Sequence, residues 1–370
     1  MRTSTFSGTA AALLLSASAA YAAPLYTIID LGVLPGDSFS QGNAISPGTN
    51  IATGRSLGST ARAFSWSQGG GTVALPNLAG RNFSVGNGVN NAGIIVGTAA
   101  TTSFGSSPLP VVWQNGVISQ LPLPAGETVG RAQDINNNGL AVGSVNGGSL
   151  QRAAIYQGGT GTTITTTTPG GAFSNTFFGV NDAGLAVGTG IDPNNAARNV
   201  GFVYDATNNT ATEVGALPGA NGALCFAVSD GGHVVGSSML NQGSGLPFIW
   251  TLDSGIQEIP LPVGTSQGSA RGVNASGWAV GTASSAFAIP FLFDGTQTYR
   301  VADLIPGGTG WDLSTNTSSS ALGISDNGTI VGTGVLNGVV HAYAMVPVPT
   351  PGAAGLVTIL GAFTAARRRR

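Results

Sequence analysis

The apolar positions of this chain fall in short runs with turn residues between them, and the arrangement recurs from end to end. Its clearest copy is Gly88-Val89-Asn90-Asn91-Ala92-Gly93-Ile94-Ile95-Val96-Gly97. Val89 and Asn90 end one strand, Ile94 to Val96 make the next, and Asn-x-x-Gly lies between them. Asn can hydrogen-bond the backbone two residues on, and Gly takes the left-handed conformation that a turn-plus-bulge hairpin requires. Edited copies begin at Ile45, Ile135, Val180, Val228, Val273 and Ile324. Their closing glycines stand at 54, 97, 143, 188, 236, 281 and 332, so the unit is 43 to 51 residues long.

After most blocks, large side chains fall two apart, as in Phe64/Trp66, Val111/Trp113, Phe202/Tyr204, Phe248/Trp250 and Phe291/Phe293. A period of two marks one face of a strand. A fourth strand then runs to a corner such as Leu217-Pro218-Gly219. A repeat of this length with strand signals alone predicts a propeller blade of about four strands. The mature chain opens at Tyr26 with a fourth strand that no blade precedes, and the body finishes at His341 to Val346 with a third strand that no fourth follows. The expectation is an all-β, seven-bladed β-propeller of four-stranded blades, its ring closed by the N-terminal strand. Closure of this kind removes lone edge strands.

Loop lengths divide the faces. Turns between strands one and two, and between three and four, are short. Connections between strands two and three (98–108, 190–199) and between blades (170–176, 307–320) are longer. Binding is expected on the longer-loop face.

The two ends differ from the body. Residues 1–22 carry Arg2, an apolar run from Ala10 to Leu15 and Ala20-Tyr21-Ala22, the pattern of a secretory signal cut between Ala22 and Ala23. Residues 23–346 are the repeat domain. Residues 347–370 are a Pro-rich linker, fifteen apolar residues (Gly352 to Ala366) and Arg367, Arg368, Arg369 and Arg370. That apolar segment is short for a full span, and the arginines would hold the end on the cytoplasmic side. Both ends are thus read as removable helical segments, the second making transient membrane contact.

Composition narrows the functions. There is no lysine, and the body keeps eight arginines against fifteen acids, which leaves no footprint for nucleic acid. Cys225 is the single cysteine, so no internal disulfide forms; it is read as a small buried thiol.

The tail resembles the PEP-CTERM sorting signal in its three-part layout, with Val348-Pro349-Thr350-Pro351 as the motif and Thr350 in the place of the usual Glu. The resemblance implies an exosortase-type partner, export from a bacterium, cleavage near Pro351 and delivery to the cell surface or an extracellular polysaccharide matrix. Residues 25–346 are similar to the extracellular HAF-repeat family, whose tripeptide stands here as Arg62-Ala63-Phe64 and His341-Ala342-Tyr343. That likeness implies an architecture and no defined activity.

Candidate chemistry is sparse. No His, Cys or carboxylate set has zinc spacing. His233 and His341 occupy repeat-fixed positions, and Asp182, Asp230 and Asp326 share one turn slot, which argues for structural roles. No cofactor is expected; Asn136 to Gly139 and Asp192 to Asn195 offer oxygens of the kind calcium takes, without the alternating acids of a calcium loop. Two departures from the repeat stand out. Asp134 replaces the Gly or Ala of other blades, and it is read as a channel-facing carboxylate paired with Arg131. Trp311-Asp312 sits in the longest interblade loop, where an exposed Trp can stack on a sugar. The leading expectation is a non-enzymatic envelope or matrix component, structural or binding polysaccharide or another surface protein. The alternative is a polysaccharide-active hydrolase or lyase with its site on the longer-loop face. Such an enzyme needs converging carboxylates, and Asp134 has no partner visible in the sequence.

Overall fold

Each repeat block folds as the hairpin its turn residues dictate. Asn90 Oδ1 accepts the N–H groups of Ala92 and Ile94 at 3.1 and 3.0 Å, the Gly93 N–H closes on Asn90 O at 3.0 Å, and Gly93 has φ +74°. In the first block, one residue longer, Asn50 takes the left-handed position with φ 55°. The protein is seen here as a computed structural model that describes residues 23–102, 106–148, 150–241 and 244–349. The expected signal segment with Ala22, and the sorting residues Thr350, Pro351 and Arg367 to Arg370, lie outside the described residues. Among the described residues no helix is long and apolar enough to cross a membrane.

The hairpins are the first halves of four-stranded antiparallel sheets. Val129–Ile135, Ala141–Asn146, Arg152–Gln157 and Thr160–Thr163 lie in that order, and three further sheets repeat the pattern between Phe173 and Arg300. The two units before them are joined by one parallel bridge, Ala61 to Phe83, into a single eight-stranded sheet. In the last sheet Tyr26–Gly32 pairs with Val339–Pro347, in register from Tyr26 with Pro347 to Gly32 with Ala342. The chain is therefore an all-β, propeller-like stack of sheets, as expected. Its core lies between neighbouring sheets. One cluster mixes the two ends of the sequence: Leu31, Leu34, Phe64 and Trp66 pack with Val331, Ala342 and Ala344.

The closing glycines have one shared cause. Every first strand is bulged, with the register slipping by one residue, for example between Gly86 and Gly88 and between Cys225 and Ala227. The bulge folds a carbonyl of the first strand over the glycine of the second. A Cβ on Gly97 would collide with Val85 O, and one on Gly236 with Leu224 O. The third-strand aromatic closes the other side, with the Trp113 ring 3.0 Å from the Cβ position of Gly97. Glycine, bulge and buried aromatic are thus one device.

Turns of successive units are hydrogen-bonded to one another. The Asn91 N–H donates to Asn137 Oδ1, the Asn137 N–H to Asp182 Oδ1 and the Asp182 N–H to Asp230 Oδ1, at 2.7–2.8 Å. The Ala275 N–H donates to Asp326 Oδ1 at 2.9 Å, and the Asp326 N–H reaches Pro47 O at 2.8 Å, joining last unit to first. A deeper layer uses the turn asparagines. Asn136 Oδ1 accepts from Asn138 and Leu140, while its Nδ2 donates to Asn181 O of the next unit at 2.8 Å. Ser46, Ser229 and Ser325 keep only the local half of this role. Asn136→Ala is expected to cost about 2 kcal/mol, since three buried bonds are lost at roughly 1 kcal/mol each with some recovery by water. Asn136→Ser should cost about half. Urea unfolding of the two variants tests this ordering.

Candidate functional site

The bulge turns one residue of every first strand inward, and among the described residues these line a common cavity of about 180 Å³. In chain order they are Asn43, Asn87, Gln133, Phe178, Phe226, Arg271 and Leu322. The following position, Gly or Ala in six units, packs against the backbone of the next unit. A Cβ on Gly88 would lie 2.6 Å from Asp134 Cα, and one on Gly179 3.0 Å from Ala227 Cα. The exposed turn residues Asn137, Asp230 and Asp326 also line the cavity, so it opens on the face of tight turns. The longer-loop face is where the sequence leads one to expect binding; the cavity opens on the opposite face because the bulge lies at the turn end of each first strand and aims its side chain there.

The seven inward residues are not equivalent. Asn43 Nδ2 donates to Gly86 O at 2.9 Å and Asn87 Nδ2 to Ala132 O at 2.8 Å, each bridging to the next unit. Over the next five units the slot holds Gln133, Phe178, Phe226, Arg271 and Leu322, and that bridging is given up. The Phe178 and Phe226 rings lie 5.6 Å apart. Arg271 places its guanidinium carbon 3.9 Å from the Phe226 centroid and donates from Nε to Ser269 Oγ at 3.0 Å. It is exposed to the cavity but walled by protein, and this desolvation lowers its pKa from the usual arginine value. An arginine so placed stays charged at neutral pH.

Asp134 is half-buried beside Gln133. Desolvation raises its carboxyl pKa to about 7, against the N–H groups of Val180 and Ile135, which donate to Oδ2 and Oδ1 at 3.0 and 2.9 Å; the charge of Asp230 adds to the rise. The expected pair with Arg131 is absent among the described salt bridges. The carboxylate instead reaches across to the next unit's backbone, and on its other side Gly88 leaves room, since a Cβ there would lie 2.6 Å from Asp134 Oδ1. Asp230 is itself raised by desolvation, partly offset by the Asp182 N–H and reinforced by the charges of Asp182 and Asp326. Asp134 and Asp230 thus line the same cavity, with Asp230 also holding the Asp182 N–H.

Trp311 and Asp312 lie elsewhere. They form a two-residue strand on Val335 and Leu336, and the half-buried indole meets the Tyr343 ring edge-on at 5.8 Å. Burial works to raise the Asp312 carboxyl, but hydrogen bonds from Ser314, Thr315 and Asn316 outweigh it and hold the pKa at about 2. Both residues fix their loop. His341 Nδ1 lies 2.9 Å from Asp30 Oδ1, tying the last strand to the first, and His233 sits 3.4 Å from Ser229 Oγ within its own turn. Cys225 is fully buried, which pushes its thiol up to about 12. No group of three metal-ligating side chains occurs among the described residues.

Phe178, Phe226, Arg271 and Gln133 were missed in the sequence. Their signal was present: aligned on the turn, they and Leu322 fill with Gln, Phe, Phe, Arg and Leu the slot that holds Asn43 and Asn87.

No family model matches the chain, and no curated protein matches it. Solved structures share its fold. An oligogalacturonate lyase from Vibrio parahaemolyticus aligns with a TM-score of 0.53 at 12% identity, over 87% of this chain and 93% of that one. A prolyl endopeptidase aligns with a TM-score of 0.51 at 10% identity, over 85% of this chain, which spans about half the endopeptidase's length. At these identities the likeness shows the fold alone. It nonetheless corrects the expectation of a non-enzymatic component. That reading rested on the want of a convincing catalytic set in the sequence and kept an enzyme as its alternative; the two proteins that share the fold are enzymes.

Proposed function

We propose that this protein is a polysaccharide-active enzyme, a hydrolase or lyase, working in the central cavity on the tight-turn face. The observation that carries the reading is Asp134. It is an acid in a slot that is otherwise Gly or Ala, half-buried in the cavity, with a second acid close enough to shift it. A carboxyl that titrates near neutrality can take and return a proton at the working pH. The Phe178 and Phe226 rings supply an apolar wall of the kind a sugar face packs on, and Gln133 supplies an amide. The lyase that shares the fold supports the substrate class.

The reading includes seven blades in a closed ring. The ladder between Tyr26–Gly32 and Val339–Pro347 and the Asp326–Pro47 hydrogen bond support it. It also includes membership of the HAF-repeat family, removal of residues 1–22 before Ala23, and sorting by an exosortase-type enzyme acting on residues 347–370. The Val348 N–H donates to Leu25 O at 2.8 Å, so the two processed ends leave the domain side by side.

The test is turnover by the purified protein on a panel of acidic and neutral polysaccharides, following new reducing ends and unsaturated uronate absorbance. Asp134→Asn should lower kcat about 100-fold or more with KM little changed. A variant as active as the parent would remove the reading.

A further inference from the structure

The departure from the structural asparagine is one-sided. It runs through five consecutive units, where Gln133, Phe178, Phe226, Arg271 and Leu322 fill the inward slot, while Asn43 and Asn87 keep the bridging bonds. In place of the asparagine bridge, worth about 1 kcal/mol, three of these units carry side-chain contacts that face the cavity: the Phe178 and Phe226 rings lie 5.6 Å apart, and Arg271 lies on Phe226. Within this arc the charges are unevenly satisfied. Asp134, Asp182, Asp230 and Asp326 all accept backbone N–H groups of neighbouring units. Arg271 has no carboxylate within 4 Å among the described residues. One face of its guanidinium lies on Phe226 and its Nε is bound to Ser269. This leaves the Nη edge to be met by a ligand, in the planar two-donor geometry that matches a carboxylate.

We propose that the cavity takes the terminal residue of an acidic oligosaccharide, a uronate whose carboxylate pairs with Arg271 while its ring lies against Phe178 and Phe226. The assignment rests on the sugar-active reading above and names its substrate class. The volume of 180 Å³, room for about six waters, suits one sugar ring and no longer segment. Neutral sugars offer the guanidinium hydroxyl acceptors but neither the charge nor the paired oxygens of a carboxylate. Polyanions meet Asp182, Asp230 and Asp326 at the rim, so a single anionic residue at a chain end is the form that enters.

The experiment is calorimetric titration of the full-length protein with glucuronate and galacturonate, and with glucose and galactose, in parent, Arg271→Gln and Arg271→Lys proteins of matched melting temperature. The expected result is at least about tenfold tighter binding of one uronate than of its neutral counterpart. Arg271→Gln should abolish that preference, and Arg271→Lys should keep part of it. Equal binding of acidic and neutral sugars, or a preference that survives Arg271→Gln, overturns the assignment and leaves the enzymatic reading standing. Absence of binding by any of the four sugars to the parent also overturns it. Uronate preference lost in Arg271→Gln, in a protein without turnover, supports the subsite and overturns the enzymatic reading.

Discussion

Gly236→Ala should lower unfolding free energy by about 3 kcal/mol or more, the upper end of what an added methyl costs in a packed interior. A Cβ there would collide with Leu224 O and lie 2.7 Å from Cζ of the Phe248 ring. The carbonyl is fixed by the bulge and the ring is fully buried, so neither can yield without disturbing a strand. Gly307→Ala is the control, because its Cβ would meet open space at an exposed loop; it should stay within about 0.5 kcal/mol of the parent. Urea titration of both proteins measures the difference. A Gly236→Ala protein with an unchanged midpoint would mean that the bulge, and with it the inward slot, does not depend on glycine.

Asp134→Asn is expected to change the pH dependence of stability by a few kcal/mol. The folded carboxyl titrates at about 7, against roughly 3.9 in an unfolded chain. The raised value means the folded state holds the proton more tightly, so stability falls as pH rises from about 4 to about 7, by up to roughly 1.4 kcal/mol per unit. Water in the cavity reduces the total to about 2–4 kcal/mol. Asparagine keeps an acceptor for one of the two N–H groups and cannot ionise. The variant should therefore match or fall slightly below the parent at pH 4 and exceed it at pH 8, with the melting curves crossing between. Parallel curves for the two proteins from pH 4 to 8 would show that Asp134 is as well solvated as a surface acid.

What the sequence disclosed follows from how each feature is built. The hairpin turns were readable because Asn-x-x-Gly is a local signal: Asn90 binds its own turn and Gly93 alone tolerates its φ. The Trp113 and Phe248 positions were readable because strand alternation puts large side chains two apart, Trp113 with Val111 and Phe248 with Trp250. The central slot was not readable by the same means. A bulge breaks the alternation at that very residue, so sequence alone cannot say whether Gln133 or Asp134 turns inward; in the structure both reach the cavity. Arg271 and Phe226 are adjacent only because neighbouring units place residues 45 apart side by side. Trp311 attracted notice for leaving the aromatic pattern, but a side chain can leave a pattern to pin its own loop, as its edge-on contact with Tyr343 does.

The ladder that joins Tyr26–Gly32 to Val339–Pro347 ties the earliest part of the chain to nearly the latest. At about 5–20 residues per second, roughly 15 to 70 seconds of synthesis separate the two. Through that interval the final sheet lacks an edge whatever the rest has done, and cooperative locking waits on the ribosome's last contribution. A polypeptide held open in this way stays unlocked until synthesis reaches the strand at Val339–Pro347.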